Sequence, residues 1–222
     1  MKVTTDSCLF GAWCASVIAG IQPQPARLLD IGAGTGLLSL MVAQQLSSSI
    51  AAIEIDAQAA TQARQNIAAS PWTRNIEVVQ GDVQSFTPSH RYNCIISNPP
   101  FYEVDLKSPD EKRNIAHHGD SLRLTDLLRY AARLLTDDGM FFLLLPAKRK
   151  EPVMKLVTGA GWHLHHVVDV HQSPTHQPFR VMLQVGRLPA PAAQTKAITI
   201  RDDAGEYHPD FVALLKDCYL YL

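Results

Sequence analysis

Arg27-Leu28-Leu29-Asp30-Ile31-Gly32-Ala33-Gly34-Thr35-Gly36 decides how the rest of the chain reads. Its first half has the length and composition of a buried strand. Three alternate glycines then release the backbone into a tight turn, and Leu37 to Leu46 follows as an apolar helix. Strand, glycine loop and helix, in that order, is the context in which glycines let a ligand approach the carboxyl edge of a sheet. The spacing is G-x-G-x-G, not the G-x-G-x-x-G of dinucleotide sites, and Asp30 directly precedes it. A carboxylate there repels a pyrophosphate and suits a cationic amino-acid end.

After that helix, Ile50 to Ile55 is a second buried strand, with Glu54 at its end about 20 positions after the loop begins, suited to accept from two ribose hydroxyls. Ala57 to Ala69 is an alanine-rich helix, ended by Ser70-Pro71. Ile76 to Gln80 is a third strand, and Gly81-Asp82 at its end offers a carboxylate to an adenine amino group. A ligand with adenine, ribose, an ammonium group and no phosphate is S-adenosylmethionine. Each piece has a plainer reading alone: an ordinary turn, a solvated strand end, a helix cap. Their succession at consecutive strand ends is what points to the cofactor.

Tyr92 to Ser97 is the fourth strand, and it runs into Asn98-Pro99-Pro100-Phe101. The prolines cannot donate to a ladder, and the first restricts the residue before it, so the strand must stop there. The sequence thus predicts a carboxamide at a strand end beside a stiff turn and an aromatic plate. That combination suits a flat group bearing an exocyclic amine.

The polar stretch from Glu103 to Arg123 has no apolar period and reads as a long surface loop of functional interest. Leu122 to Leu135 is an amphipathic helix stopped at Asp138-Gly139. Met140 to Leu145 is a fifth strand, and Pro152 to Gly159 a short helix. Trp162 to Val170 and Phe179 to Gly186 read as an antiparallel edge pair. The tail offers a short strand (Ala197 to Ile200) and a helix near Pro209 to Tyr221. Strands alternating with helices predict an α/β fold: a Rossmann-like, seven-stranded, mostly parallel, doubly wound sheet with an antiparallel edge and helices on both faces. No repeat or composition shift divides residues 1–222, so one domain is expected, with a substrate loop at 102–121 and a C-terminal strand and helix at 188–222.

Of the 222 residues, 46% are hydrophobic and 18% charged, with a formal net charge of -1. That suits a soluble protein with one sizeable core. No apolar run approaches the roughly 20 residues that cross a bilayer, and the N-terminus lacks a signal peptide's apolar centre. Cys8, Cys14, Cys94 and Cys218 form no CxxC pair and read as reduced thiols of a cytoplasmic protein. His163, His165 and His166 invite a metal reading, but the alternation of His163 and His165 fits one face of an edge strand. No metal and no membrane partner are expected, and a monomer is.

The chain resembles the class I S-adenosylmethionine-dependent methyltransferases of the amino-methylating kind, in which Asn-Pro-Pro-aromatic marks the catalytic loop. Within that class it is similar to the bacterial tRNA1(Val) adenine-37 N6-methyltransferases. The residues that carry this are Met1-Lys2-Val3-Thr4-Thr5-Asp6, Gly11-Ala12-Trp13, Leu29-Asp30-Ile31-Gly32-Ala33-Gly34-Thr35-Gly36-Leu37-Leu38, and Ser70-Pro71-Trp72. They continue with Ile95-Ile96-Ser97-Asn98-Pro99-Pro100-Phe101, Gly161-Trp162-His163-Leu164 and Tyr219-Leu220-Tyr221. The two terminal pieces are the family-specific ones. Two departures stand out: the family usually has Gly-Thr-Asp at Thr4-Thr5-Asp6, and a basic, aromatic segment ahead of Met1. The expectation from the second is weaker tRNA binding or a natural start upstream.

The resemblance implies tRNA as partner and an adenine amino nitrogen as target. It makes Asn98, Pro99, Pro100 and Phe101 the catalytic loop, and Asp30, Gly32, Gly34, Gly36, Glu54, Asp82 and Asn98 the cofactor site. Residues 1–20 become a helix covering the cofactor, with Asp6 over its methionine end; otherwise Asp6 is only a helix cap. For RNA contact it draws attention to Lys107, Lys112, Arg113, His117, His118 and Arg123, and to Lys148-Arg149-Lys150 after the fifth strand. Rivals are a ribosomal-RNA guanine-N2 or a protein glutamine-N5 methyltransferase and, from another class, a non-catalytic S-adenosylmethionine-binding scaffold. A scaffold would be expected to have lost Asn98 or the glycines, and both are present.

Overall fold

The computed structural model describes residues 3–99 and 123–219. Pro100, Phe101, the expected substrate loop at 102–121 and, within it, Lys107, Lys112, Arg113, His117 and His118 lie outside the described residues. In chain order the elements are α1 (Thr5–Ala19), β1 (Arg27–Ile31), α2 (Leu37–Gln45), β2 (Ser49–Glu54), α3 (Ala57–Ala68), β3 (Ile76–Gln80) and β4 (Tyr92–Ser97). After the undescribed stretch come α4 (Leu124–Leu134), β5 (Leu135–Pro146), a 3-10 turn (Ala147–Arg149), α5 (Lys150–Gly159), β6 (His163–His171), β7 (Arg180–Gly186), β8 (Gln194–Thr199) and α6 (Pro209–Leu215).

The strands form one sheet in the order β3-β2-β1-β4-β5-β7-β6-β8. The first five are parallel, and β7 runs antiparallel to both β5 and β6. Among the described residues the sheet has eight strands, not the expected seven, because the tail strand begins earlier and pairs in parallel with β6. Gln194, Thr195 and Lys196 are exposed, so no apolar period announces their part of the strand. An edge strand needs none, since its backbone pairs on one side only.

Alternation along each strand divides the core between the two faces. Leu28, Ile96, Phe142 and Leu144 pack on one side, with Leu9, Phe10 and Trp13 of α1, Val42 of α2, and Phe211 and Leu215 of α6. Leu29, Ile95, Phe141 and Leu143 pack on the other, with Leu127, Leu128 and Ala131 of α4 and Val153 and Val157 of α5. Each of the Leu, Ile, Val and Phe side chains among these contributes roughly 1.5–3 kcal/mol on burial. With helices on both faces, the carboxyl ends of β1, β2, β3 and β4 remain as the open rim where loops can build a site.

Candidate active site

At the end of β1 the backbone turns through Gly32, Gly34 and Gly36 at φ 72°, 57° and 84°. This is left-handed territory where a side chain is strained. The loop is fixed from below: the N–H groups of Gly32 and Ala33 donate to the Ile53 carbonyl at 2.9 and 3.0 Å. Gly34 N–H donates to Glu54 Oε2 at 2.7 Å, and Asp56 N–H to Glu54 Oε1 at 2.9 Å. Glu54 is buried, so its carboxylate ties the end of β2 to the glycine turn while still forming part of the cavity wall. A Cβ on Gly32 would meet nothing within 4 Å, whereas Gly36 lies against Ala63 and Ile67 of α3.

In front of this loop opens a cavity of about 730 Å³. Its walls include Gly32, Ala33 and Thr35 from the loop, Glu54, then Asp82 and Val83 after β3, Asn98 and Pro99 after β4, and Pro146 at the end of β5. Asp6 and Ser7 of α1, Asp126 and Tyr130 of α4, and Arg180 at the start of β7 complete them. Five expected cofactor residues, Asp6, Gly32, Glu54, Asp82 and Asn98, therefore converge on one space. Gly34 and Gly36 act behind the wall, shaping the turn. Asp82 Oδ1 accepts from Gln84 N–H at 2.8 Å, so this carboxylate serves the turn as well as the cavity.

Asp30 corrects the sequence reading. It has no exposed surface and is not on the cavity wall. The strand's alternation turns its side chain beneath the loop, where Oδ2 accepts from the Ser39 hydroxyl at 2.7 Å. Burial pushes its carboxyl up to about 7; the Ser39 hydrogen bonds oppose this and the nearby Glu54 charge adds to it. Asp30 thus supports the loop and is not the direct partner expected for an ammonium group.

Asp6 does reach the cavity, in the first turn of α1, with Thr4 as the N-cap residue. Its Oδ2 accepts from Arg180 Nε at 2.6 Å, with Asp6 13% and Arg180 35% exposed at the side chain. Burial alone would raise its carboxyl, but hydrogen bonds from Thr4 and Arg180 bring it below the usual carboxylate value. Asn98, half-buried, donates Nδ2–H to Ser7 Oγ at 3.0 Å, and Ser97 Oγ donates to the Ile31 carbonyl at 2.8 Å, binding the end of β4 to β1. Sequence reasoning missed Ser7, Tyr130 and Arg180. Their only signal is the fold, since Arg180 lies 174 positions from Asp6 and Asn98 91 from Ser7.

The cavity's described walls carry Asp6, Glu54, Asp82 and Asp126 against Arg180. This excess of carboxylates favours a cationic ligand and disfavours a pyrophosphate, and the volume lies within the ordinary range for small-molecule sites. The residues fit S-adenosylmethionine, which is cationic and needs ribose acceptors. The basic run after β5 fits RNA less well than expected. Lys150 is held by Asp169 at 2.6 Å and Arg149 is buried, so these two support the fold. Lys148 and Arg123 are exposed. Of the histidines, His165 Nε2 bonds the Leu188 carbonyl at 3.0 Å and His166 bonds Gln184. Among the described residues no group of three or more His, Cys, Asp or Glu is placed to hold a metal.

Comparison with known proteins identifies the fold and the family. The family model described as methyltransferase small domain matches residues 16–160. The chain is 41% identical over 220 residues to the tRNA1(Val) (adenine(37)-N6)-methyltransferase of Phocaeicola vulgatus, covering 99% of this chain and 91% of the relative. It is 39% identical over 222 residues to the protein of the same name from Tolumonas auensis, covering 99% and 90%. Among solved structures, a predicted O-methyltransferase from Agrobacterium tumefaciens, Atu636, superposes with a TM-score of 0.71 at 18% identity, covering 97% of each chain. The glycopeptide N-methyltransferase MtfA in complex with S-adenosylmethionine gives 0.59 at 13% identity, covering 80% of this chain and 94% of MtfA.

Proposed function

The chain belongs to the methyltransferase small domain family and, within it, to the tRNA1(Val) (adenine(37)-N6)-methyltransferases, and from that premise we propose that it methylates the exocyclic N6 of adenine 37 in the anticodon loop of tRNA1(Val). S-adenosylmethionine is the cofactor and, when bound, supplies an electrophilic methyl carbon on a sulfonium. The observation that carries the reading is Asn98 at the end of β4, on the wall of an acidic cavity.

An adenine amino nitrogen is a poor nucleophile because its lone pair is delocalised into the ring. Asn98 Oδ1 and the Pro99 carbonyl accept its two hydrogens in this reading, drawing the nitrogen toward a tetrahedral shape with its lone pair free. No strong base is required, since the nitrogen becomes acidic only as it is alkylated. Most of the rate then comes from holding the reacting atoms in line. Glu54 and the glycine loop hold the cofactor's ribose, and Asp82 its adenine. Phe101 stacks on the target base, worth roughly 1–3 kcal/mol, and a loop base is already unpaired, which makes its extrusion cheap. The enzyme works in the cytoplasm, as a monomer and without a metal.

Two preparations test this. Native enzyme should methylate a tRNA1(Val) transcript carrying adenine at position 37 and leave a transcript with guanine there unlabelled. Asn98→Ala should lose about 10²–10³-fold in kcat, the scale of removing one hydrogen bond to the transition state, while its affinity for S-adenosylmethionine stays within about twofold. Equal labelling of both transcripts, or a large loss of cofactor affinity in the variant, would contradict the assignment.

A further inference from the structure

A peptide group is a planar unit whose C=O and N–H point to opposite sides, so holding one end aims the other. The unit that joins Val83 to Gln84, in the turn after β3, is held at both ends. Its N–H donates to Asp82 Oδ1 at 2.8 Å. Its carbonyl accepts from Arg133 Nη2 at 2.9 Å, and the same nitrogen reaches the Gln84 carbonyl at 3.3 Å. The turn supplies bonds of its own: Phe86 N–H donates to the Val83 carbonyl at 3.3 Å and Ser85 N–H to the Asp82 carbonyl at 3.1 Å. On Val83 the bond from Arg133 is the shorter of the two, and it is the one that comes from outside the turn.

Arg133 belongs to the last turn of α4, 50 positions along the chain from Val83. Its guanidinium lies 5.7 Å from the centre of the Tyr130 ring, within the range of a cation–π contact. Tyr130 is buried and forms part of the cavity wall, and Val83 packs in the same apolar cluster as Tyr130 and Leu134. The guanidinium therefore rests on a fixed floor beside a fixed turn. Each link has one direction, because a guanidinium and an amide N–H only donate and a carbonyl only accepts. Arg133 itself is not on the cavity wall, whereas Asp82 is.

Resting on the reading of Asp82 as the partner of the cofactor's adenine, we infer that Arg133 is a positioning residue for cofactor recognition: through the Val83–Gln84 peptide it fixes Asp82 Oδ1 in the turn and so aims Oδ2 at the adenine amino group. A charged donor on the carbonyl also polarises the amide, which strengthens the N–H bond that Asp82 accepts. Without Arg133 the peptide keeps only the longer bond of the turn and can tilt, and the carboxylate at its far side follows.

The test needs no tRNA, so its outcome is separate from the choice of methylated substrate. Calorimetric titration gives the affinity for S-adenosylhomocysteine and for its analogue with hydrogen in place of the adenine amino group, in the native protein, Arg133→Met, Asp82→Ala and the double variant. The ratio of the two affinities is the readout, since a partly unfolded or loosened protein lowers both alike. The native protein should prefer the amino compound, and Arg133→Met, which keeps an apolar stem over Tyr130, should lower that preference by about 3- to 10-fold, the scale of one hydrogen bond. In Asp82→Ala the preference should be lost, and adding Arg133→Met should change the ratio by less than about twofold. A preference in Arg133→Met equal to the native one, or the same fall in the ratio with and without Asp82, overturns the role of Arg133 alone. Equal native affinity for the two ligands overturns the reading of Asp82 and the inference with it.

Discussion

At Asp30 a carboxylate with no exposed surface accepts one hydroxyl, from Ser39, and its Oδ1 has no hydrogen-bond partner among the described residues. Its folded value of about 7 stands above the ordinary 3.8, so between those two values the native state holds a proton that the unfolded chain has released. Stability contributed by the neutral form is therefore complete below about pH 4 and is lost as pH rises through 7. Asp30→Asn keeps the bond to Ser39 and cannot ionise. The native protein should lose on the order of 2 kcal/mol relative to this variant between pH 5 and 8, about 4–8 °C in melting temperature by calorimetry. Parallel curves for the two proteins would remove Asp30 from that role. The sequence shows Asp30 beside the glycine loop but not which way it turns, because the pleat of a five-residue strand is set by what covers each face. Gly34 was readable for the opposite reason: a positive φ is a local demand that glycine meets by itself.

The elements that hold the site differ in how openly the sequence declares them. Strands β1 and β4 announce themselves through short apolar runs, Leu28-Leu29 and Cys94-Ile95-Ile96, with glycine or proline close behind, because both of their faces are covered. The start of β5 does not. Asp138-Gly139 reads as a helix stop, yet it lies within a strand that begins at Leu135, and the irregularity is absorbed where the register with β4 shifts between Tyr92 and Cys94. The tail shows a similar gap, since β8 and α6 look like appendages in sequence. Phe211 and Leu215 of α6 are nonetheless fully buried in the same cluster as Phe10 and Trp13 of α1, whose first turn carries Asp6 and Ser7. Phe211→Ala should accordingly destabilise the protein by about 3–5 kcal/mol and loosen α1, weakening cofactor binding though it touches nothing in the cavity. Urea unfolding with cofactor titration checks both, and a shift below about 1 kcal/mol would make the tail a peripheral segment.

Across the molecule, charge is sorted by task. Carboxylates gather around the cavity, while the net charge of the chain is only -1, so tRNA recognition depends on local basic groups. Arg149 and Lys150 are occupied in the fold, a fact that a run of three basic letters conceals because pairing partners such as Asp169 come from distant strands. Replacing Arg123 and Lys148 together should lower tRNA affinity and flatten its dependence on salt, by about one unit of log-log slope for each phosphate no longer neutralised. An unchanged slope places the RNA surface elsewhere. The central claim, that this acidic cavity and Asn98 serve an adenine amine in tRNA, is tested most directly by offering radiolabelled S-adenosylmethionine with bulk unmodified tRNA, ribosomal subunits and a release factor in parallel. Label confined to tRNA and recovered as N6-methyladenosine is the predicted result. Label in ribosomal RNA or in protein, or a different methylated nucleoside in tRNA, would contradict it.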